Sequence, residues 1–144
     1  MQAMEISRTA LDVEWRRIEI ASQNLANINS AAGPSGAVYR ARHLLSGPAG
    51  DFASHLENGS AADLHALRGV AVTGIVEDNA PPRLVHEPGN PAADANGMVA
   101  YPAIDHAQEM LTLVQSSRVY EANVVAMNAA RQIYTKALEI GRHS

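Results

Sequence analysis

Two apolar repeats, one near each end of the chain, limit what this sequence can become. Near the N-terminus Met4, Leu11, Ile18 and Leu25 recur at seven-residue intervals, with Ala21 and Ile28 at d-like positions between them. Near the C-terminus Val119, Ala126, Ile133 and Ile140 do the same, with Ala122, Ala129, Ala130 and Ala137 between them. A seven-residue apolar repeat keeps one stripe of a helix turned toward a neighbouring helix, as in a coiled-coil seam. Ser7 and Glu14 interrupt the first stripe. A second row, Leu113, Tyr120, Met127 and Tyr134, runs beside the C-terminal one, so that surface is broader than one partner helix covers.

The boundaries follow from local chemistry. Gly33-Pro34 stops a first helix that spans roughly Ala3 to Ile28. Asp105 with Gln108 three residues on forms a capping-box pattern that opens the second, and Gly141 stands at its C′ position after Ile140. At ~1.5 Å per residue the two helices reach about 40 and 54 Å. Paired antiparallel, the second overhangs the first by roughly 15 Å. Aromatic residues make up only 4% of the chain while alanine recurs at both ends, which suits thin layers of closely packed helices. Overhanging apolar surface needs a cover, and the simplest one is another molecule.

The middle of the chain is different in kind, rich in Gly, Pro, Asp and Asn. "AVYRARHLL" (37–45), "GVAVTGIVED" (69–78), "RLVHE" (83–87) and "GMVAY" (97–101) read as short strands. Pro88-Gly89 marks a turn, and Asn96-Gly97 is a two-residue hairpin signal. Residues 46–68 lack periodicity and read as a mobile loop, with a helical turn near Ala61–Leu67. The expected fold is therefore mainly α with a small β segment. Residues 1–36 supply the N-terminal helix, 37–101 a small β-rich segment and 102–144 the C-terminal helix, the two helices forming an antiparallel coiled-coil-like pair.

Several function classes are excluded or disfavoured. A net charge of −4 gives no basic footprint for nucleic acid. No apolar run approaches the ~18–20 residues of a membrane span, and no cleavable leader opens the chain. Without cysteine there is no disulfide or thiolate chemistry. The six histidines make no metal-binding pair, and Glu87, Asp94 and Asn96 lack the ligand order of a calcium loop. No nucleophile elbow, phosphate loop or dinucleotide fingerprint occurs. The expectation is a non-enzymatic protein without cofactor or metal.

"ASQNLANINS" (21–30) is the odd stretch, because asparagine competes for backbone hydrogen bonds and is a mediocre helix former. Asn24 and Asn27 bracket Leu25, and Asn123 sits within the C-terminal stripe. One reading is a register device, since a buried amide penalises every alignment that leaves it unpaired. The other is that Asn24, Asn27 and Asn29 cap a helix end and face water. Trp15 likewise reads as an interface anchor or as packing on its own C-terminal helix. Tyr120 and Tyr134 fall in a row that meets neighbouring subunits or the partner helix, and Arg118 with Glu121 can pair along the helix.

These residues carry a resemblance. "NLAN" within "ASQNLANINS" resembles the N-terminal signature of bacterial flagellar rod and hook proteins, the axial family. "GVAVTGIVEDNAPPRLVHEPGNPAADANGMVAYPAID" and "SSRVYEANVVAMNAARQIYTKALEIG" are similar, nearly phrase by phrase, to a proximal-rod member. The likeness covers about 4–45 and 69–141, whereas 46–68 matches no motif of the family. It implies a structural subunit of the rod, the drive shaft of the basal body, polymerising through its terminal helices around an export channel with the β segment outward. It also implies passage through the flagellar type III export apparatus, with the apolar element at Met4 and Ile6 read by the export gate. The implied partners are further copies of the chain, the rod proteins FlgB and FlgF, the adaptor FliE and the MS ring. The implied packing residues are Leu11, Trp15, Ile18, Asn24, Leu25, Asn27 and Ile28 on the first helix. On the second they are Val119, Tyr120, Asn123, Ala126, Met127, Ala130, Ile133, Tyr134, Ala137 and Ile140. The alternatives are another axial rod subunit, or a helical adaptor forming a discrete oligomer.

Overall fold

The computed structural model of the chain describes residues 2–32, 36–49 and 69–142. Helix α1 spans Gln2–Asn27 and helix α2 spans His106–Arg142. Between them lie β1 (Arg42–Pro48), β2 (Val70–Glu77), β3 (Arg83–His86) and β4 (Met98–Tyr101). β1 pairs antiparallel with β2, and β3 antiparallel with β4, as two separate two-stranded sheets. The mainly α architecture with a small β segment is as expected. The expected helical turn near Ala61–Leu67 and the Gly33-Pro34 stop lie outside the described residues.

The helices run antiparallel. Asn24 meets Glu109, Trp15 lies against Tyr120, and Met4 shares a groove with Ala130, Ile133, Tyr134 and Ala137. At ~1.5 Å per residue the 26 residues of α1 reach about 39 Å and the 37 of α2 about 55 Å, so the last turns of α2 run past the start of α1. Asp105 caps α2 through its Oδ1, which accepts from Ala107 N at 2.9 Å and Gln108 N at 3.2 Å. The far end differs from expectation. Gly141 is helical, and it is absent from the glycines with positive φ, so α2 continues through it rather than ending on a left-handed residue.

α1 has two neighbours. On one side lies α2. On the other, the β1–β2 ribbon lies along the helix: Arg42 bonds Asn24, Ser46 accepts from Arg17, and the Val70 amide donates to Thr9. The lengths are close, since fifteen helical steps from Thr9 to Asn24 come to about 22 Å and the six strand steps from Arg42 to Pro48, which pairs with Val70, to about 20 Å. At about 100° per residue, Val13, Ile20 and Asn24 fall on the line under the ribbon, and Ala21 in the corner between both neighbours. All four are buried. The heptad line Met4, Leu11, Ile18 and Leu25 faces α2 by phase and is half-buried, because a two-helix pair leaves its seam open along one edge.

The strands depart from expectation in three places. The run 37–45 was expected as strand from its start; pairing begins only at Arg42, opposite Glu77. β2's continuation runs into Pro81-Pro82, which lack the amide hydrogens a ladder needs, so residues 37–40 have no strand to pair with. At its other end β1 extends to Pro48, so residues 46–48 of the expected loop are strand, with Thr73 as the extra residue of a bulge. Finally, Asn96-Gly97 is not a two-residue hairpin. β3 and β4 are joined by the eleven residues Glu87–Gly97, starting with a turn over Glu87–Asn90 that has Pro88 and Gly89 at its centre. The loop closes in a second turn where Gly97 N donates to Asp94 O and Asp94 N to Met98 O. Only Gly97 has positive φ (72°), which is the three-residue loop ending in a left-handed glycine rather than the two-residue type I′ form. Asp94 Oδ1 accepts from the amides of Asn96 and Met98 and holds this turn. Glu87 accepts from Tyr101 and Asn90, and that bond pushes the Tyr101 phenol above its ordinary pKa.

Candidate assembly interface

Asn24 forms the junction of the molecule. Its side chain is fully buried, which an amide tolerates only when its hydrogen bonds are made. Nδ2 donates to Arg42 O at 2.8 Å and to Glu109 Oε1 at 3.0 Å. Oδ1 accepts from Arg42 N at 3.0 Å and from the Tyr39 hydroxyl at 2.9 Å. One side chain thus joins α1, the start of β1 and the first turn of α2. Arg42 continues the network, donating to Gln23 Oε1 and lying over the Tyr39 ring. Asn24 therefore sets a register, but between elements of its own chain.

The other asparagines do local work. Asn27 Nδ2 returns to Gln23 O, and Asn27 O accepts from Ser30, closing the helix end. Asn29 is exposed just beyond the last turn. Among the described residues Asn123 Nδ2 bonds only Val119 O, one turn back. Sequence spacing gives Asn24, Asn27 and Asn123 similar standing; burial separates Asn24 from the other two.

Trp15 packs on its own C-terminal helix and keeps much of its surface exposed. Its ring lies 6.3 Å from that of Tyr120, tilted by 51°, yet the residue is 61% exposed. Ile28 and Leu25 are half-buried at the helix end, and Met4 and Ile6 are half-buried near its start. Ile6 lies against Gly69, whose φ is 84° and whose missing Cβ would fall 2.1 Å from Thr9 Oγ1 and 3.3 Å from Ile6 Cα. Only glycine allows the ribbon to approach α1 that closely. The turn residues Pro88, Gly89, Asn96 and Gly97 shape the β3–β4 loop.

The two rows on α2 have different fates. Leu113, Tyr120 and Met127, with Glu109, Ser116 and Asn123, make up the buried and half-buried line that meets α1. Val119, Ala126, Ile133 and Ile140, with Ala122, Ala129 and Ala137, lie about a third of a turn away and are exposed. Val119 is 45% and Ile133 70% exposed. Ala130 is half-buried between the rows, and Tyr134 is exposed beside the groove at Met4. The primary stripe of the sequence is thus exposed, with Ile133 and Ala137 also lining the groove at Met4, and the secondary row is the intramolecular seam.

Charge divides the helices as well. All seven charged residues of α1 are in ion pairs within the helix: Glu5–Arg8–Asp12, Arg16–Glu19 and Glu14–Arg17. On α2, Arg118, Glu121, Arg131, Lys136 and Glu139 make no ion pair among the described residues, and Arg118 and Glu121 do not pair with each other. The exposed apolar residues of α2 thus share their half of the helix with charges that make no ion pair among the described residues.

Two long antiparallel helices, a small β segment laid along one of them and an exposed second seam on the other define a structural assembly protein. No family model matches the chain. Curated relatives do. It is 36% identical over 142 residues to the flagellar basal-body rod protein FlgC of Salmonella typhimurium, covering 99% of this chain and 98% of that one. It is 37% identical over 145 residues to FlgC of Bacillus subtilis, covering 97% of each. With FlgC of Borreliella burgdorferi it shares 29% over 150 residues. The chain belongs to the FlgC family of flagellar basal-body rod proteins. It is a structural rather than enzymatic subunit of the rod, assembling with other rod proteins. Among the described residues no helix is long and apolar enough to cross a membrane.

Proposed function

We propose that the chain polymerises in the proximal rod through its terminal helices, packed around the export channel, with the β segment turned outward. The observation that carries this reading is the exposed seam Val119–Ala122–Ala126–Ala129–Ile133 on α2, a helix already committed to α1 on another face. A helix with two apolar seams about a third of a turn apart can sit inside a layer of helices, with a neighbour on each side. Leu11, Ile18, Leu25 and Ile28 hold α1 to this layer, and Trp15 lies at its rim. The neighbours are further copies, FlgB and FlgF, with FliE and the MS ring at the base. The subunit reaches them through the flagellar type III export apparatus, Met4 and Ile6 forming the apolar element read at the export gate.

Ile133→Asp tests this reading directly. Its side chain is 70% exposed, so the free chain keeps its helical circular dichroism and its stability to within about 0.5 kcal/mol. In a strain lacking its own copy, the variant is expected to be exported and yet to give no complete rods and no swimming. Normal motility would overturn the proposal.

A further inference from the structure

We infer that Asn96 is a deamidation site held shut by the turn that Asp94 closes, its side-chain amide converting to a carboxylate only when that turn opens. The chain has two Asn-Gly pairs, of which Asn58-Gly59 lies outside the described residues. Asn-Gly is the pair in which an asparagine amide is most easily lost, because glycine has no Cβ to hinder attack by its backbone nitrogen on the preceding side chain. At this site the Gly97 nitrogen gives up its proton and attacks Asn96 Cγ. A C–N bond forms, closing a five-membered imide, and the Cγ–Nδ2 bond breaks with release of ammonia. Water, the sole co-reactant, then opens the ring. Opening at Cγ leaves aspartate. Opening at the backbone carbonyl leaves isoaspartate, which routes the main chain through Cβ and Cγ and lengthens it by one atom.

The fold leaves the group under attack open and restrains the attacking one. Asn96 is exposed, and its side chain makes no hydrogen bond among the described residues. Gly97 N, in contrast, donates to Asp94 O at 2.9 Å, which occupies the very proton the reaction must remove. Asp94 Oδ1 accepts from Asn96 N at 2.8 Å and from Met98 N at 2.9 Å, fixing the chain on either side of Gly97. A negative carboxylate beside these amides also disfavours an anionic nitrogen among them. Gly97 itself is required: its φ is 72°, and an added Cβ would lie 3.1 Å from both His86 Cε1 and Pro88 Cβ. The turn thus needs the glycine and curbs its chemistry. The extra main-chain atom of isoaspartate falls directly before β4. There Glu87 N donates to Gly97 O at 2.8 Å and His86 pairs with Met98, so the converted loop no longer fits the β3–β4 ladder.

Ageing the full chain at neutral pH, folded and in urea, with peptide mapping by mass spectrometry, tests the inference. Trypsin releases residues 84–118 as one peptide. Its other asparagine, Asn90, precedes Pro91, whose nitrogen carries no hydrogen to give up, so acid formed in that peptide by this route reports Asn96. The folded chain is expected to form aspartate and isoaspartate at least about tenfold more slowly than the unfolded chain. Asp94→Ala removes both side-chain bonds and leaves Asp94 O to hold Gly97 alone. It should raise the folded rate about fivefold, with helical circular dichroism unchanged. Equal rates in the folded and unfolded chain, or a folded rate that Asp94→Ala does not alter, would overturn the inference. If Asp94→Ala loses its structure, hydrogen exchange at the Gly97 amide of the parent chain decides. Protection comparable to the slowing of deamidation supports the closed turn, and exchange at the rate of an unprotected amide overturns it.

Discussion

α1 and α2 are built from the same kinds of residue and are finished differently. α1 is closed: its charges pair within the helix, its one fully buried polar side chain is satisfied four times over, and strand ribbon and helix cover two of its sides. α2 is open: beyond Ser116 nearly every residue is at least partly exposed, apolar ones included. The difference teaches where the free chain's own stability resides and where its surface is held back for partners. Cooperative structure is concentrated at the Asn24 junction, and the C-terminal half of α2 leans on little besides helix propensity.

The largest test of that contrast is Asn24→Ala. It strips partners from the Glu109 carboxylate, the Tyr39 hydroxyl and both backbone groups of Arg42, most of them away from water. A loss of about 3 kcal/mol is expected in urea unfolding. Asn123→Ala, which removes a bond only to its own helix, should change stability by less than about 0.5 kcal/mol. Equal effects of the two would erase the distinction between a closed and an open helix.

Glycine gives the next comparison. Gly69→Ala puts a methyl group into Thr9 at a positive φ, and should cost about 2 kcal/mol. Pairing it with Thr9→Ala should recover part of that loss, since the clash is with the hydroxyl. Gly141→Ala, in open space within the last turns of α2, should instead raise helicity and stability by a few tenths to ~1 kcal/mol. Thermal melts of both variants check the opposite signs.

What the sequence could reveal divides along the same line. Helix existence, the Asp105 cap and the strand cores come from local periodicity and capping chemistry, which neighbouring residues encode by themselves. Which α2 row meets α1 is not local. Val119–Ala126–Ile133 and Tyr120–Met127–Tyr134 have the same seven-residue spacing, and only the docking of α1 and the ribbon chooses between them. Asn24 and Asn27 likewise look alike in "NLAN"; the helical phase that puts the first under the ribbon exists only once β1 has folded back. The Asn96-Gly97 dipeptide reports a left-handed glycine, and does not report that Asp94, three residues before Gly97, closes the turn.

The smallest effect bears on the paired charges of α1. Arg8 donates to Glu5 at 2.7 Å and holds its carboxyl below its ordinary pKa, while Glu5 and Asp12 raise the Arg8 guanidinium. A carboxylate whose folded pKa is depressed stabilises the folded state fully above its unfolded pKa, and that contribution disappears as pH falls through the folded value. Both side chains are exposed, so the effect is slight and screened by salt. A helical signal that weakens in acid below the ordinary Glu range, less steeply in Arg8→Gln and in high salt, is expected from circular dichroism at the N-terminal end. The corresponding charge-neutral change on α2, Glu121→Gln, breaks no ion pair among the described residues and should leave that profile of the N-terminal end unchanged. Should Glu121→Gln alter the profile as Arg8→Gln does, the charges of α2 are already engaged in the lone molecule, and they are not free to direct its contacts with neighbours.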